Sequence, residues 1–175
     1  MTTLTLGPDS GTFHLLTGVE GKAARMGHDL VLDLPDWSAE ADVTDGVPTA
    51  VRLRAGLASF AVKSGTGGAK PLSDKDRATI RKNALGSLRA DKHPEVTFVS
   101  TSISPSTSGF QVTGDLSIGG RTGPVTVDLA VEGSALTVRG SVVQTQFNVT
   151  PYSAMLGALR LRDRVDVAVD VTMPA

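Results

Sequence analysis

The sequence predicts an all-β protein whose strands curl into an extended antiparallel barrel of about eight strands, with one short lateral α-helix near residues 73–86. Three observations carry this. Apolar and polar residues alternate with period two through most of the chain, turn residues recur at short intervals, and a single segment switches to helical spacing.

The clearest alternation places Phe110, Val112, Gly114, Leu116 and Ile118 on one face and Gln111, Thr113, Asp115 and Ser117 on the other. Val125, Val127, Leu129 and Val131 repeat the pattern, as do Val165, Val167, Val169, Val171 and Met173. Each run reads as a strand with one face buried and one in water, the habit of antiparallel sheets. Ser104-Pro105 with Ser108-Gly109, Gly119-Gly120 through Gly123-Pro124, and Glu132-Gly133-Ser134 supply the turns between runs. Connections this short make hairpins, because a parallel crossover needs a dozen residues or more. Weaker strand patterns cover 12–17, 19–25, 29–34, 37–43, 51–60, 96–103 and 136–147. The tally is about ten short strands with one apolar face throughout, which favours closure over bare edges.

The exception begins at Ser73. Ser73 can cap a helix and Asp76 stands at the capping-box position, with Asp74 and Asp76 both favoured near a positive N-terminus. Ile80, Ala84 and Leu88 then recur every four residues, joined by Leu85. A helix so short must pack on the barrel to persist. The preceding Gly65–Gly68 stretch reads as a flexible loop, and Ser153–Leu159 as a short helix or turn. No repeat, linker or low-complexity tract interrupts the 175 residues, so one domain over 1–175 is expected.

Composition excludes several classes. Formal net charge is −1, which provides no bulk attraction to nucleic acid. From Lys63 to Lys92, however, eight Lys/Arg face three Asp, a local charge of +5. No cysteine exists for disulfide or thiolate chemistry. The start MTTLTLGPDS lacks a basic n-region and an apolar h-region, and no window reaches the ~18 apolar residues of a membrane span. A cytoplasmic protein without a membrane span is therefore expected.

The search for catalytic chemistry yields little. His14, His28 and His93 lack helical ligand spacing, so neither a metal site nor a cofactor is predicted. His28 and Asp29 are adjacent on a strand and point to opposite faces. No G-x-S-x-G elbow occurs, and Gly65–Lys70 lacks the G-K-[ST] ending of a phosphate loop. No catalytic residue is assigned.

Several stretches together resemble a known family. They are Asp76–Lys82, then Leu88-Arg89, then His93-Pro94-Glu95-Val96-Thr97-Phe98, then Val112–Gly120 and Pro124–Leu129. In order and spacing they are similar to the charged helix, "YP-x-ITF" strand entry, "V-x-G-x-L-T-I-x-G-x-T" hairpin and "P-V" strand of YceI-like (polyisoprenoid-binding, lipocalin-like) domains. Gly27-His28-Asp29-Leu30 resembles a "GHDL" variant of that family, and Phe147-Asn148-Val149 falls at an expected aromatic strand end. The resemblance runs from about Thr12 to Val171. It departs at Gly86–Asp91, where an aromatic pair is usual, and at His93, where Tyr is usual.

The resemblance implies non-catalytic binding, storage or transport of an apolar long-chain lipid, such as a polyisoprenoid or isoprenoid quinone, in the barrel interior. Expected lining residues are Leu30, Leu32, Phe60, Ile80, Leu85, Phe98, Leu116, Val127, Phe147 and Met155. Arg81, Lys82 and Arg89 are expected at the mouth to pair with a head group, together with His28, Trp37 and Tyr152. The alternatives are a small barrel enzyme using His28 as base and a filled barrel acting as an interaction or stress-protection module. A homodimer through an edge strand or the helix is compatible with all three.

Overall fold

Fourteen strands and one helix follow one another along a computed structural model that describes all residues from Met1 to Ala175. The strands are β1 (Thr2–Leu6), β2 (Gly11–Thr17), β3 (Val19–Glu20), β4 (His28–Asp33), β5 (Trp37–Thr44), β6 (Val47–Gly56) and β7 (Ala61–Gly67). Helix α1 (Asp74–Ser87) then precedes β8 (Glu95–Pro105), β9 (Gly109–Ile118), β10 (Arg121–Glu132), β11 (Ala135–Val143), β12 (Ser153–Ala154), β13 (Leu159–Leu161) and β14 (Arg164–Thr172). Eleven strands form one antiparallel sheet in the order β1-β5-β6-β8-β9-β10-β11-β14-β2-β4-β7, and β12-β13-β3 form a small second sheet.

Three strands of the large sheet are bent in the middle. Asp33 pairs with Ala61 and Trp37 with Ala55, so β4–β5 and β6–β7 are two halves of one long hairpin broken at a corner. Likewise His14 pairs with Asp33 and Leu6 with Ala39, so β1–β2 runs alongside β4–β5 through the same corner. With each bent pair taken as one strand, the sheet has eight, and the ring meets itself at the β6–β8 ladder. This reconciles about eight expected strands with eleven observed ones: the corners split three of them.

The corner is tight because Gly56 has no side chain. Its backbone N–H donates to the Asp36 carbonyl at 2.8 Å, and a Cβ there would meet an Asp36 carboxylate oxygen at 2.2 Å. Arg54 closes the outside with hydrogen bonds to both Asp36 carboxylate oxygens, at 3.0 and 3.2 Å. Gly65 plays a related part inside β7. The expected loop at 65–68 is instead strand as far as Gly67, paired with His28–Leu30. Gly65 leaves room there for the Leu72 side chain, whose Cδ1 would lie 2.5 Å from a Cβ at that position.

The alternating runs of β9, β10 and β14 turn the faces read from sequence inward. Two packed clusters result. One gathers Leu6, Phe13, Leu30, Leu32, Leu34, Trp37 and Phe60, among others; the second holds Phe98, Val112, Leu116, Val125, Phe147 and Val149. The interior is thus packed in two masses rather than one.

Helix α1 starts where its cap predicts. Ser73 Oγ accepts from the Asp76 N–H at 3.1 Å, and the Asp76 carboxylate accepts from the Ser73 N–H at 3.0 Å. The Ser73 backbone donor, then its hydroxyl, hold the Asp76 carboxyl below its ordinary 3.8. A depressed carboxyl stabilises the fold above its unfolded value, and that contribution disappears as pH falls through the folded value. Ser73→Ala should cost about 1 kcal/mol, chiefly through the lost Oγ acceptor for the Asp76 N–H. The gap between Asp76→Asn and wild type in urea unfolding should narrow below about pH 4, as the wild-type carboxylate protonates. A pH-independent gap would contradict the reciprocal cap. No helix is long and apolar enough to cross a membrane.

Candidate functional site

Between the two packed clusters and under α1 lies a cavity of about 700 Å³, with 26 hydrophobic residues among the 37 that line it. Its walls come from elements distant in sequence. Phe13 and Leu15 project from β2, Leu30 and Leu32 from β4, Leu116 from β9, and Val165 and Val167 from β14. Phe60 sits at the bend into β7, while Phe147 and Val149 close the far side. Alternation supplies these contacts, since every second residue of each strand must face the interior.

The helix roofs the cavity without filling it. Its inward stripe combines Ile80, Ala84 and Leu88 with Asp76, Thr79, Asn83 and Ser87, and none of its residues is fully buried. Packing of Ile80, Ala84 and Leu85 on the first cluster, together with hydrogen bonds to backbone, holds it in place. Arg77 donates to the carbonyls of Val62 and Lys63 at 3.0 and 2.8 Å, and Arg81 to those of Phe60 and Ala58. Just beyond the helix, Arg89 donates to the carbonyls of Gly119 and Asn148 at 3.1 and 3.2 Å. These arginines therefore satisfy carbonyls at the β7 edge and at the β9–β10 turn, and fix the roof at both ends. A roof clamped at its ends can leave a void beneath.

This geometry relocates several expected site residues. Leu30, Leu32, Phe60, Ile80, Leu116 and Phe147 line the cavity, and His28 and Tyr152 stand among its lining residues. Leu85 packs on the first cluster, while Phe98 and Val127 belong to the second. Met155 is 56% exposed on a turn. Arg81 and Arg89 spend their guanidinium donors on backbone carbonyls, and Lys82 is exposed on the outer side of the helix. Trp37, expected at the mouth, is only 2% exposed and packs against Phe13 with ring centroids 6.1 Å apart. Its large ring follows the apolar face of β5 into the core.

The entrance lies between α1 and the small sheet of β3, β12 and β13; β3 falls in the strand expected at 19–25 and the turn at Met155–Gly157 in the helix or turn expected at 153–159, while β12, β13 and their pairing were missed. Met26, Thr150, Tyr152, Leu159 and Leu161 face it from that flap, and Lys70 and Lys75 from the helix side. His28 Nε2 lies 2.7 Å from the Lys70 carbonyl, an N–H···O contact that ties the loop before α1 to β4. The Thr17 hydroxyl is buried beside the cavity with no protein partner. Val165 and Val167 were legible as strand residues, but only the β14–β2 register shows that Val167 stands beside Leu15 on one wall.

No three His, Cys, Asp or Glu side chains come together. A polar dent of about 430 Å³ on the outer face joins Thr126, Asp128, Arg139, Ser141, Arg164 and Asp166. Its cations are already neutralised, Arg139 by Asp170 at 2.7 Å and Arg164 by Asp166 at 3.0 Å. The apolar cavity is the stronger candidate.

Comparison with known proteins agrees with this architecture. The family model described as the YceI-like domain matches residues 10–173. The structure of BcnA from Burkholderia cenocepacia is similar with a TM-score of 0.64 and 20% identity, over 94% of this chain and 96% of that one. The YCEI protein of Campylobacter jejuni gives 0.58 and 15% identity, over 82% and 85% of the two chains. A mutant of the latter carrying a monobromobimane guest gives 0.60 and 15%, over 80% and 81%. No curated protein matches the chain by sequence.

Proposed function

The chain belongs to the YceI-like domain family, and we propose that it works as one barrel unit that binds, stores or carries an apolar long-chain lipid without catalysis. A polyisoprenoid or an isoprenoid quinone fits the chemistry of the walls. The supporting observation is the void itself. Apolar side chains from strands and helix surround about 700 Å³ without meeting across it. That volume falls within the roughly 300–1,000 Å³ typical of small-molecule sites.

The energetics are adequate. Burial contributes about 0.8 kcal/mol per methylene, so some 15 carbons yield about 12 kcal/mol gross. Ordering and association consume part of that. Micromolar to nanomolar affinity follows without a metal or a covalent step. With Arg81 and Arg89 engaged by carbonyls, a polar head group would meet Lys70, Lys75, Asn83, Gln144, Thr150 or Tyr152 at the rim.

Native mass spectrometry of the purified chain, followed by organic extraction, is expected to release a bound lipid. A fluorescent polyisoprenoid analogue should bind the extracted protein with one-to-one stoichiometry. Absence of both extracted lipid and analogue binding would overturn the proposal.

A further inference from the structure

We propose that the flap built from β3, β12 and β13 docks the cavity mouth onto an anionic lipid bilayer. Four large apolar side chains stand exposed on this flap: Met26 at 47%, Tyr152 at 50%, Met155 at 56% and Leu156 at 108%. Lone exposed apolar residues are ordinary on protein surfaces, whereas a cluster marks an interaction site. Met26 and Tyr152 also line the cavity, so the apolar cluster and the entrance share one rim.

The backbone supplies an independent sign. Met155 and Leu156 both adopt left-handed conformations, with φ of 53° and 56°. L side chains meet steric resistance there, and single glycines normally occupy it. Leu156 and Gly157 form the hairpin turn between β12 and β13, closed by the Ala158 N–H donating to the Met155 carbonyl at 3.1 Å, and the turn holds the Leu156 side chain out in solvent.

Charge identifies the partner. Lys22 and Arg25 are exposed on the adjoining loop, which is fixed to the tip by the Ala23 N–H donating to the Ala158 carbonyl at 2.8 Å. Neither cation joins a salt bridge. The carboxylates along this rim are already engaged: Glu20 faces Arg160 at 3.7 Å, Asp29 accepts from the Val19 N–H at 3.1 Å, and Asp76 accepts from the Ser73 N–H at 3.0 Å. Apolar tip, tyrosine and unpaired cations together match the layers of a bilayer interface. Apolar groups enter the acyl boundary, tyrosine rests among head groups, and cations attract anionic lipids. A second copy of the chain would bring Lys22 and Arg25 against themselves, which disfavours a dimer through this face.

The test is flotation of the full chain with phosphatidylcholine vesicles, with and without phosphatidylglycerol. Binding is expected with phosphatidylglycerol and should fall as salt rises. Met155→Asn combined with Leu156→Asn keeps residues that tolerate the left-handed backbone and adds no charge; it should lower the bound fraction about tenfold. Lys22→Glu with Arg25→Glu should abolish the preference for phosphatidylglycerol. Val99→Asp, at a site 51% exposed on β8, should leave flotation unchanged. The proposal is overturned if wild type ignores anionic vesicles, if the asparagine variant floats as well as wild type, or if sedimentation shows that the tip instead holds two copies together. Uptake of the fluorescent analogue from solution is measured on the same variants. Flotation without uptake would count against the carrier reading and leave docking intact.

Discussion

Replacing Ala84 by Trp is expected to weaken binding of a fluorescent polyisoprenoid analogue about a hundredfold or more. Ala84 is half-buried on α1 and lines the cavity from above, between Ile80 and Leu88. An indole added there projects from the underside of the roof, where Ala84 faces both the first cluster and the void, and the roof is held at both ends by Arg77, Arg81 and Arg89. Excluding four methylenes of ligand at about 0.8 kcal/mol each removes about 3 kcal/mol, or more than two powers of ten. The sheet does not depend on this residue, so its circular dichroism should stay unchanged. Titration of the analogue against both proteins provides the measurement. Undiminished affinity in a folded variant would place the ligand elsewhere.

The second large effect concerns stability and leaves binding alone. Trp37→Ala should destabilise the fold by about 3–5 kcal/mol in urea unfolding, the range for deleting a large buried aromatic ring. The ring is 2% exposed in the first cluster and does not line the cavity, so analogue affinity should hold wherever the variant remains folded. Trp37→Phe should cost much less, about 1 kcal/mol or under. The reason is the indole N–H, which is buried with no protein partner. Phenylalanine loses some volume but also removes an unsatisfied donor, whose burial costs about 1–3 kcal/mol. Equal losses for Phe and Ala would mean that the indole N–H contributes after all.

Much of this architecture is legible in the sequence, for reasons that differ by element. β9, β10 and β14 are long enough for a period-two pattern to repeat four or five times. The helix announces itself through Ser73 and Asp76, a local signal that depends on no tertiary contact. β1 was missed although Leu4 and Leu6 alternate with Thr3 and Thr5 and the turn residues Gly7-Pro8-Asp9 follow; five residues let the period repeat only twice. The β12 and β13 strands of the flap were missed for a stronger reason. Strands of two and three residues, such as β12 and β13, have no periodicity to detect.

Site residues divide along the same line. Leu30, Leu32 and Leu116 could be placed because strand alternation fixes their direction. Arg81 and Arg89 could not, since long side chains reach whichever acceptor lies nearby. Here the acceptors are carbonyls left free at the β7 edge and the β9–β10 turn, which no local pattern advertises.

The corners that let β1–β2, β4–β5 and β6–β7 turn also dictate an order of assembly. Gly11–Leu16 find their β14 partners only at Asp166–Val171, nearly the full length of the chain away. Contacts so remote in sequence form slowly. During synthesis the amino-terminal strands must wait beside the ribosome, half-paired and exposed, for the final strand to emerge. Until then Phe13 and Leu15 lack their β14 neighbours Val169 and Val167, so the cavity does not exist on a nascent chain. The void forms only once translation is complete.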